Sequence, residues 1–180
     1  MGRVRSPMKK KFKEAYMKTA ETFAELSYAR RLHVGAIIVK DDRIISIGYN
    51  GMPSGWENDC EDRDWMDNDA GGWLDVEDIE RRWPYEEYSD EVSTELIGRY
   101  NWKSKPEVLH AETNAIAKLA KSTESGAMAT MFVTHSPCLD CAKLIYQSGI
   151  TSVFYRNSYR SDDGINFLKN SGVAIEKLDT

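Results

Sequence analysis

Two short stretches decide how this sequence is read: His110-Ala111-Glu112 and, further along, Pro137-Cys138-Leu139-Asp140-Cys141. Each opens a predicted helix. Ala115, Ile116, Leu119 and Ala120 carry the first to about Lys121, and the second runs from Cys138 to Gln147, closed by Gly149. Cys138 and Cys141 stand three apart, so on a helix both sulfurs face one side and can reach one ion. A helix N-terminus lowers the cost of holding thiolates, and Pro137 sits where its missing N–H does no harm. His110 supplies a third ligand, which leaves one position of a tetrahedral zinc open to water. Glu112 lies only two residues from His110, better placed beside that water as a proton carrier than as a fourth ligand. A structural zinc knot, the bland alternative, needs four protein ligands and has no use for the carboxylate. Cys60 lies far off in an acidic stretch and reads as a free buried thiol, while His33 and His135 read as structural.

Working outward, strands and helices alternate. Met131 to Thr134, Thr151 to Tyr155 and Val173 to Leu178 read as strands, with a helix at Gly164 to Asn170. Upstream, Phe12, Tyr16, Thr19, Phe23 and Leu26 recur at helical spacing within about Pro7 to Tyr28. The apolar run Val34 to Val39, a turn at Asp41-Asp42 and Arg43 to Tyr49 predict a hairpin, which ends in a glycine-rich loop from Asn50 to Gly55. This order predicts a layered α/β sheet. Residues 57–105 break the pattern. They are acidic, carry Trp65, Trp73, Trp83 and Trp102, and are short of aliphatic side chains. They read as an insertion packed on the domain, with short helices at Glu77 to Trp83 and Ser89 to Arg99.

Composition sets the outer bounds. A chain of 180 residues is expected to form one domain, 1–180, and 41% hydrophobic residues is ordinary for a globular protein. The net charge of −5 argues against a general grip on nucleic-acid polymer and favours a small anion held by a few placed arginines. Three cysteines, two of them in the C-x-x-C, point to metal binding in a reducing cytosol and not to disulfides. The basic start, Met1 to Lys13, is followed by no apolar run, so neither a signal peptide nor a membrane span is expected.

H-x-E with P-C-x-x-C is the signature of zinc-dependent nucleobase deaminases. Within that group the chain resembles the deoxycytidylate (dCMP) deaminase family, of the allosteric kind. The matching pieces are Val34-Gly35-Ala36, the loop from Gly48 to Gly55, His110 to Ile116, Pro137 to Ile145, Gly149-Ile150 and Asn157 to Asp162. The resemblance covers nearly everything except the insertion and the extreme N-terminus. It implies a cytidine-deaminase-like three-layer α/β/α fold with a five-stranded mixed sheet. It implies hydrolysis of dCMP to dUMP and ammonia for thymidylate synthesis, with one catalytic zinc per subunit. A cytoplasmic homo-hexamer, activated by dCTP with Mg2+ and inhibited by dTTP, also follows from it.

Carried over by position, Asn50 is expected to hydrogen-bond the sugar, Tyr159 and Arg160 to contact base and phosphate, and Arg31 to offer a second phosphate contact. The alternatives are a turn asparagine, a core-edge tyrosine and solvated arginines. Gly48, Asn50, Gly51, Met52 and Pro53 form the expected effector region, whose plain alternative is a turn that needs glycine. Some phage members hold a second, structural zinc; with only Cys60, His33 and His135 left over, this chain is expected to lack it. Three rivals stay open: a deaminase of polymeric nucleic acid, a free-cytidine deaminase and a non-catalytic zinc protein.

Overall fold

A computed structural model describes residues 8–67, 74–89 and 95–179. Its main sheet has the order β2-β1-β6-β7-β8, from Arg43–Tyr49, Gly35–Lys40, Thr130–His135, Ser152–Asn157 and Ala174–Lys177. β1 pairs antiparallel with β2 and β6, whereas β6, β7 and β8 run parallel, so the sheet is mixed as expected. The hairpin turns at Asp41 and Asp42, both at positive φ, the conformation that tight two-residue hairpins demand and aspartate tolerates.

The three layers follow from strand periodicity. Ile37, Val39, Phe132 and Phe154 pack toward α1 (Lys10–Ala24), meeting Met17 and Ala20. Their neighbours Ala36, Ile38, Met131, Val133 and Val153 face the other way. There they meet α3 (Ala111–Leu119), α4 (Leu139–Gln147) and α5 (Asp163–Asn170) through Ala115, Ala142, Ile145 and Leu168. Strands buried on both faces are why Val34 to Val39 reads as an unbroken apolar run. The buried Arg156 ties the α1 layer to β7, donating to Glu14 at 2.9 Å and Glu21 at 3.0 Å and to the carbonyls of Leu178 and Asp179. No helix among the described residues is long and apolar enough to cross a membrane.

The insertion differs from its reading. Val76–Arg82 forms the expected helix, α2, with the Asp75 carboxylate accepting from the Asp78 amide at its start. The helix expected over Ser89 to Arg99 does not form over the described part of that span. Residues 90–94 lie outside the described set, and Leu96–Ser104 is a strand, β5, the centre of a sheet β3-β5-β4 with Glu61–Trp65 and Tyr85–Tyr88. Its cohesion is cross-strand and aromatic: Tyr100 lies 5.1 Å from Trp65 and 5.5 Å from Tyr85, and the Arg63 guanidinium stands over the Tyr100 ring at 4.9 Å. Contacts between segments far apart in sequence leave no period to read along any one of them.

Glycines fix how closely the helices approach, and two of them adjoin the starts of α3 and α4. A Cβ on Gly48, inside β2, would meet the Ala111 carbonyl of α3 at 2.1 Å, and one on Gly164 would meet the Pro137 carbonyl at 2.0 Å. Gly48→Ala and Gly164→Ala are each expected to cost about 1–3 kcal/mol or more, because backbone must shift to admit the methyl group. Gly51→Ala, with nothing within 4 Å of its Cβ, should stay within about 0.5 kcal/mol of the parent. Denaturant midpoints for the three variants check this; equal losses at all three positions would refute the packing argument.

Candidate active site

His110 and Cys138 are the N-cap residues of α3 and α4, each extended (φ −72°, ψ 155° and φ −69°, ψ 170°) and each without a side-chain cap. The orphan N–H groups of two helix starts therefore converge on one spot. The His110 Nδ1 lies 3.6 Å from the Cys138 Sγ and 3.3 Å from the Cys141 Sγ. Tetrahedral zinc with ordinary Zn–N and Zn–S bonds needs an N···S separation of roughly 3.6 Å, so the donor set and its spacing both fit that ion. All three ligand atoms lie within 4.8 Å of one another, as a single metal centre requires.

The charges in the cluster are set by proximity. The Cys138 thiol is drawn down to about 4 by hydrogen bonds from Cys141 and His110, so it is a thiolate at neutral pH. Cys141 is pushed up by that thiolate and by burial and keeps its proton. His110 is raised, chiefly by its hydrogen bond with Cys138. Burial pushes Glu112, 4% exposed, up to about 7.

Beside the cluster lies a cavity of about 580 Å³. It is lined by Glu112, by Asn50, Tyr159 and Arg160, and by Arg31, so the structure brings these sequence-selected residues to one space. Among the described residues, the side chains of Arg31, Arg160 and Lys103 have no carboxylate within ion-pair distance. Lys105, in contrast, is paired with Asp59 at 2.8 Å. Tyr159 is anchored through its own amide, which donates to the buried Ser136 hydroxyl at 2.8 Å. The Asn50 side chain holds backbone on both sides of the 32–34 segment: its Oδ1 accepts from the Val34 amide and its Nδ2 donates to the Leu32 carbonyl, both at 2.8 Å.

Of the five residues expected at the effector region, only Asn50 lines this cavity. Gly48 is packed under α3, and Gly51 exchanges backbone hydrogen bonds with Leu109 at 2.9 and 3.1 Å, immediately before His110. Four titratable lining residues were not selected from the sequence. Glu61, Lys103 and Lys105 come from the insertion, and His135, read as structural, faces the cavity with its pKa lowered by burial. The only sequence signal for His135 was its place just before the proline of the cysteine motif. His33 does keep a structural place, with its Nε2 2.7 Å from the Ala29 carbonyl oxygen.

Residues 10–157 match the family described as the cytidine and deoxycytidylate deaminase zinc-binding region. The chain belongs to this family. It is 38% identical to the deoxycytidylate deaminase of enterobacteria phage T4 over 79% of this chain and 77% of the relative. It is 32% identical to the human deoxycytidylate deaminase over 83% of this chain and 67% of that protein. Among solved structures, the dCMP deaminase of cyanophage S-TIM5, in complex with dCMP and dUMP, superposes with a TM-score of 0.70 at 40% identity. That match covers 95% of this chain and 99% of the other.

For this zinc-binding family the cluster has a measurable consequence. Protons compete with the metal, and His110 and Cys141 hold theirs to higher pH than usual, so zinc affinity falls as pH falls. Titrating zinc into metal-free protein at pH 7.5 should release about one proton, from Cys141. Calorimetry in two buffers of different ionisation heat measures the release. Zinc affinity that stayed constant between pH 6 and 8 would contradict this assignment of protons.

Proposed function

We infer that this protein hydrolyses dCMP to dUMP and ammonia, with zinc held by His110, Cys138 and Cys141. One observation carries the reading most strongly: a buried carboxylate, Glu112, stands beside a three-ligand cluster in a cavity whose wall holds three cations with no carboxylate partner among the described residues. Zinc bound by three residues supplies Lewis acidity and brings the pKa of a water to about 7. The chain's own residues do the rest. Glu112 takes a proton from the water that adds to C4 of cytosine and delivers it to ring N3. Glu112 then takes the remaining proton from the new C4 hydroxyl and passes it to the exocyclic amine, so that the C4 carbonyl forms as the C4–N bond breaks and ammonia leaves. A carboxyl with a pKa near 7 can both take and give a proton at neutral pH.

Arg31, Arg160 and Lys103 hold the 5′-phosphate, Tyr159 covers the base, and Asn50 serves the sugar while it shapes the 32–34 segment. The relatives' names support the substrate class, and so does a cavity of a size that suits a mononucleotide. The same reading extends to a cytoplasmic homo-hexamer that feeds thymidylate synthesis, activated by dCTP with Mg2+ and inhibited by dTTP. Its support is the resemblance of the Gly48 to Gly55 run.

The test is ammonia release from dCMP, deoxycytidine, CMP and a cytosine-containing oligonucleotide, with and without dCTP and Mg2+. Turnover that strongly prefers dCMP over the other three and is raised by dCTP is the expected result; turnover of the oligonucleotide alone overturns the substrate. Glu112→Gln should keep one zinc per chain and lose about 10²–10⁴-fold in kcat, the range ascribed to a positioned acid–base. A variant with near-normal kcat would rule out the proton path. Arg160→Ala should raise KM for dCMP and leave deoxycytidine turnover unchanged.

A further inference from the structure

Glu61 is the first residue of β3 and is only 3% exposed, although the residues that follow it, Asp62 to Trp65, are exposed. A buried carboxylate is costly unless donors satisfy it. Its partners here are main-chain amides: the Arg30 N–H donates to Oε2 at 3.0 Å and the Arg31 N–H to Oε1 at 3.5 Å. These amides belong to the connection between α1 and β1, the same connection that Asn50 grips at Leu32 and Val34. The Arg30 guanidinium lies over the Trp102 ring of β5 at 4.4 Å, a second tie from the insertion to this segment. Arg31 is thus held between two fixed supports, and both Arg31 and Glu61 line the cavity.

We propose that Glu61 is a positioning residue: the insertion uses this carboxylate to fix the Arg30–Arg31 backbone, so that Arg31 meets the substrate phosphate without prior ordering. The proposal rests on the phosphate role given to Arg31 above. Two donors converge on the side chain, which is why a carboxylate suits the position. Glutamine offers a single acceptor oxygen and would turn an N–H toward one of the amides. Without the support, the long Arg31 side chain and its loop must be ordered on binding, a cost paid in affinity for the phosphate and not in the chemical step.

Three measurements test this on zinc-loaded protein. Hydrogen exchange at the Arg30 and Arg31 amides should quicken in Glu61→Ala and less so in Glu61→Gln; unchanged exchange overturns the positioning whatever the substrate is. KM for dCMP should rise about tenfold in Glu61→Ala, the scale of one lost charged hydrogen bond, with kcat within about twofold. Glu61→Gln should fall between Glu61→Ala and the parent, and deoxycytidine kinetics should not move. In an Arg31→Ala background the Glu61→Ala substitution should add nothing further, because Glu61 acts through Arg31. Additive losses, or an equal loss on deoxycytidine, would make Glu61 a direct contact or a general support and overturn the proposal. A parent enzyme that fails to prefer dCMP over deoxycytidine would instead refute the phosphate reading, while the exchange experiment still decides whether Glu61 holds the segment.

Discussion

Two helices have to begin at one point. His110 caps α3 and Cys138 caps α4, and their donor atoms come within 3.6 Å, so the metal cluster exists only while both helix starts are held in register. The sheet does this from below. β2 carries Gly48 against the first turn of α3, and α5 carries Gly164 against Pro137 and Cys138 just ahead of α4. The backbone exchange between Gly51 and Leu109 closes the remaining side. The convergence also sets the chemistry. Uncapped N–H groups give each helix start partial positive charge, which favours the thiolate at Cys138. Glu112, in the first turn of α3, is buried by the same packing and so has a carboxyl raised toward neutrality.

The main sheet was legible in the sequence because its signals are local. β1, β6 and β7 are apolar runs buried on both faces, and α3 and α4 begin at His110 and Cys138, the residues that open the two motifs. That Cys138 and Cys141 come together was legible for the same reason, since i and i+3 spacing on a helix is a property of neighbours. Asn50 was legible as important, but its two 2.8 Å bonds to the backbone at Leu32 and Val34 are those of a residue that builds a turn, the role weighed as the alternative.

The insertion was not legible, and the reason is physical. Trp65, Tyr85, Tyr100 and Trp102 find one another across strands, with Arg63 among the rings, and no segment alone carries an amphipathic period. Ser89 to Arg99 could therefore pass for a helix when its last residues belong to the central strand. Glu61 was hidden in the same way. It is one acid among many in the sequence, and only its burial and its two backbone amides distinguish it.

That pairing also resolves an apparent conflict between an acidic chain and an anionic ligand. The net charge is −5, and the insertion's acids outnumber its bases, several of which they hold in ion pairs: Arg63 with Glu87, Arg99 with Glu86 and Glu80, and Lys105 with Asp59 and Asp62. Arg31, Lys103 and Arg160 stand outside this network at the cavity wall. At physiological salt the screening length is about 8 Å, so a bound phosphate feels these neighbours far more than the distant surface acids. A polymer lying along the exterior would meet those acids directly. The same charge distribution can thus admit a single phosphate to the cavity and oppose a strand of them across the surface.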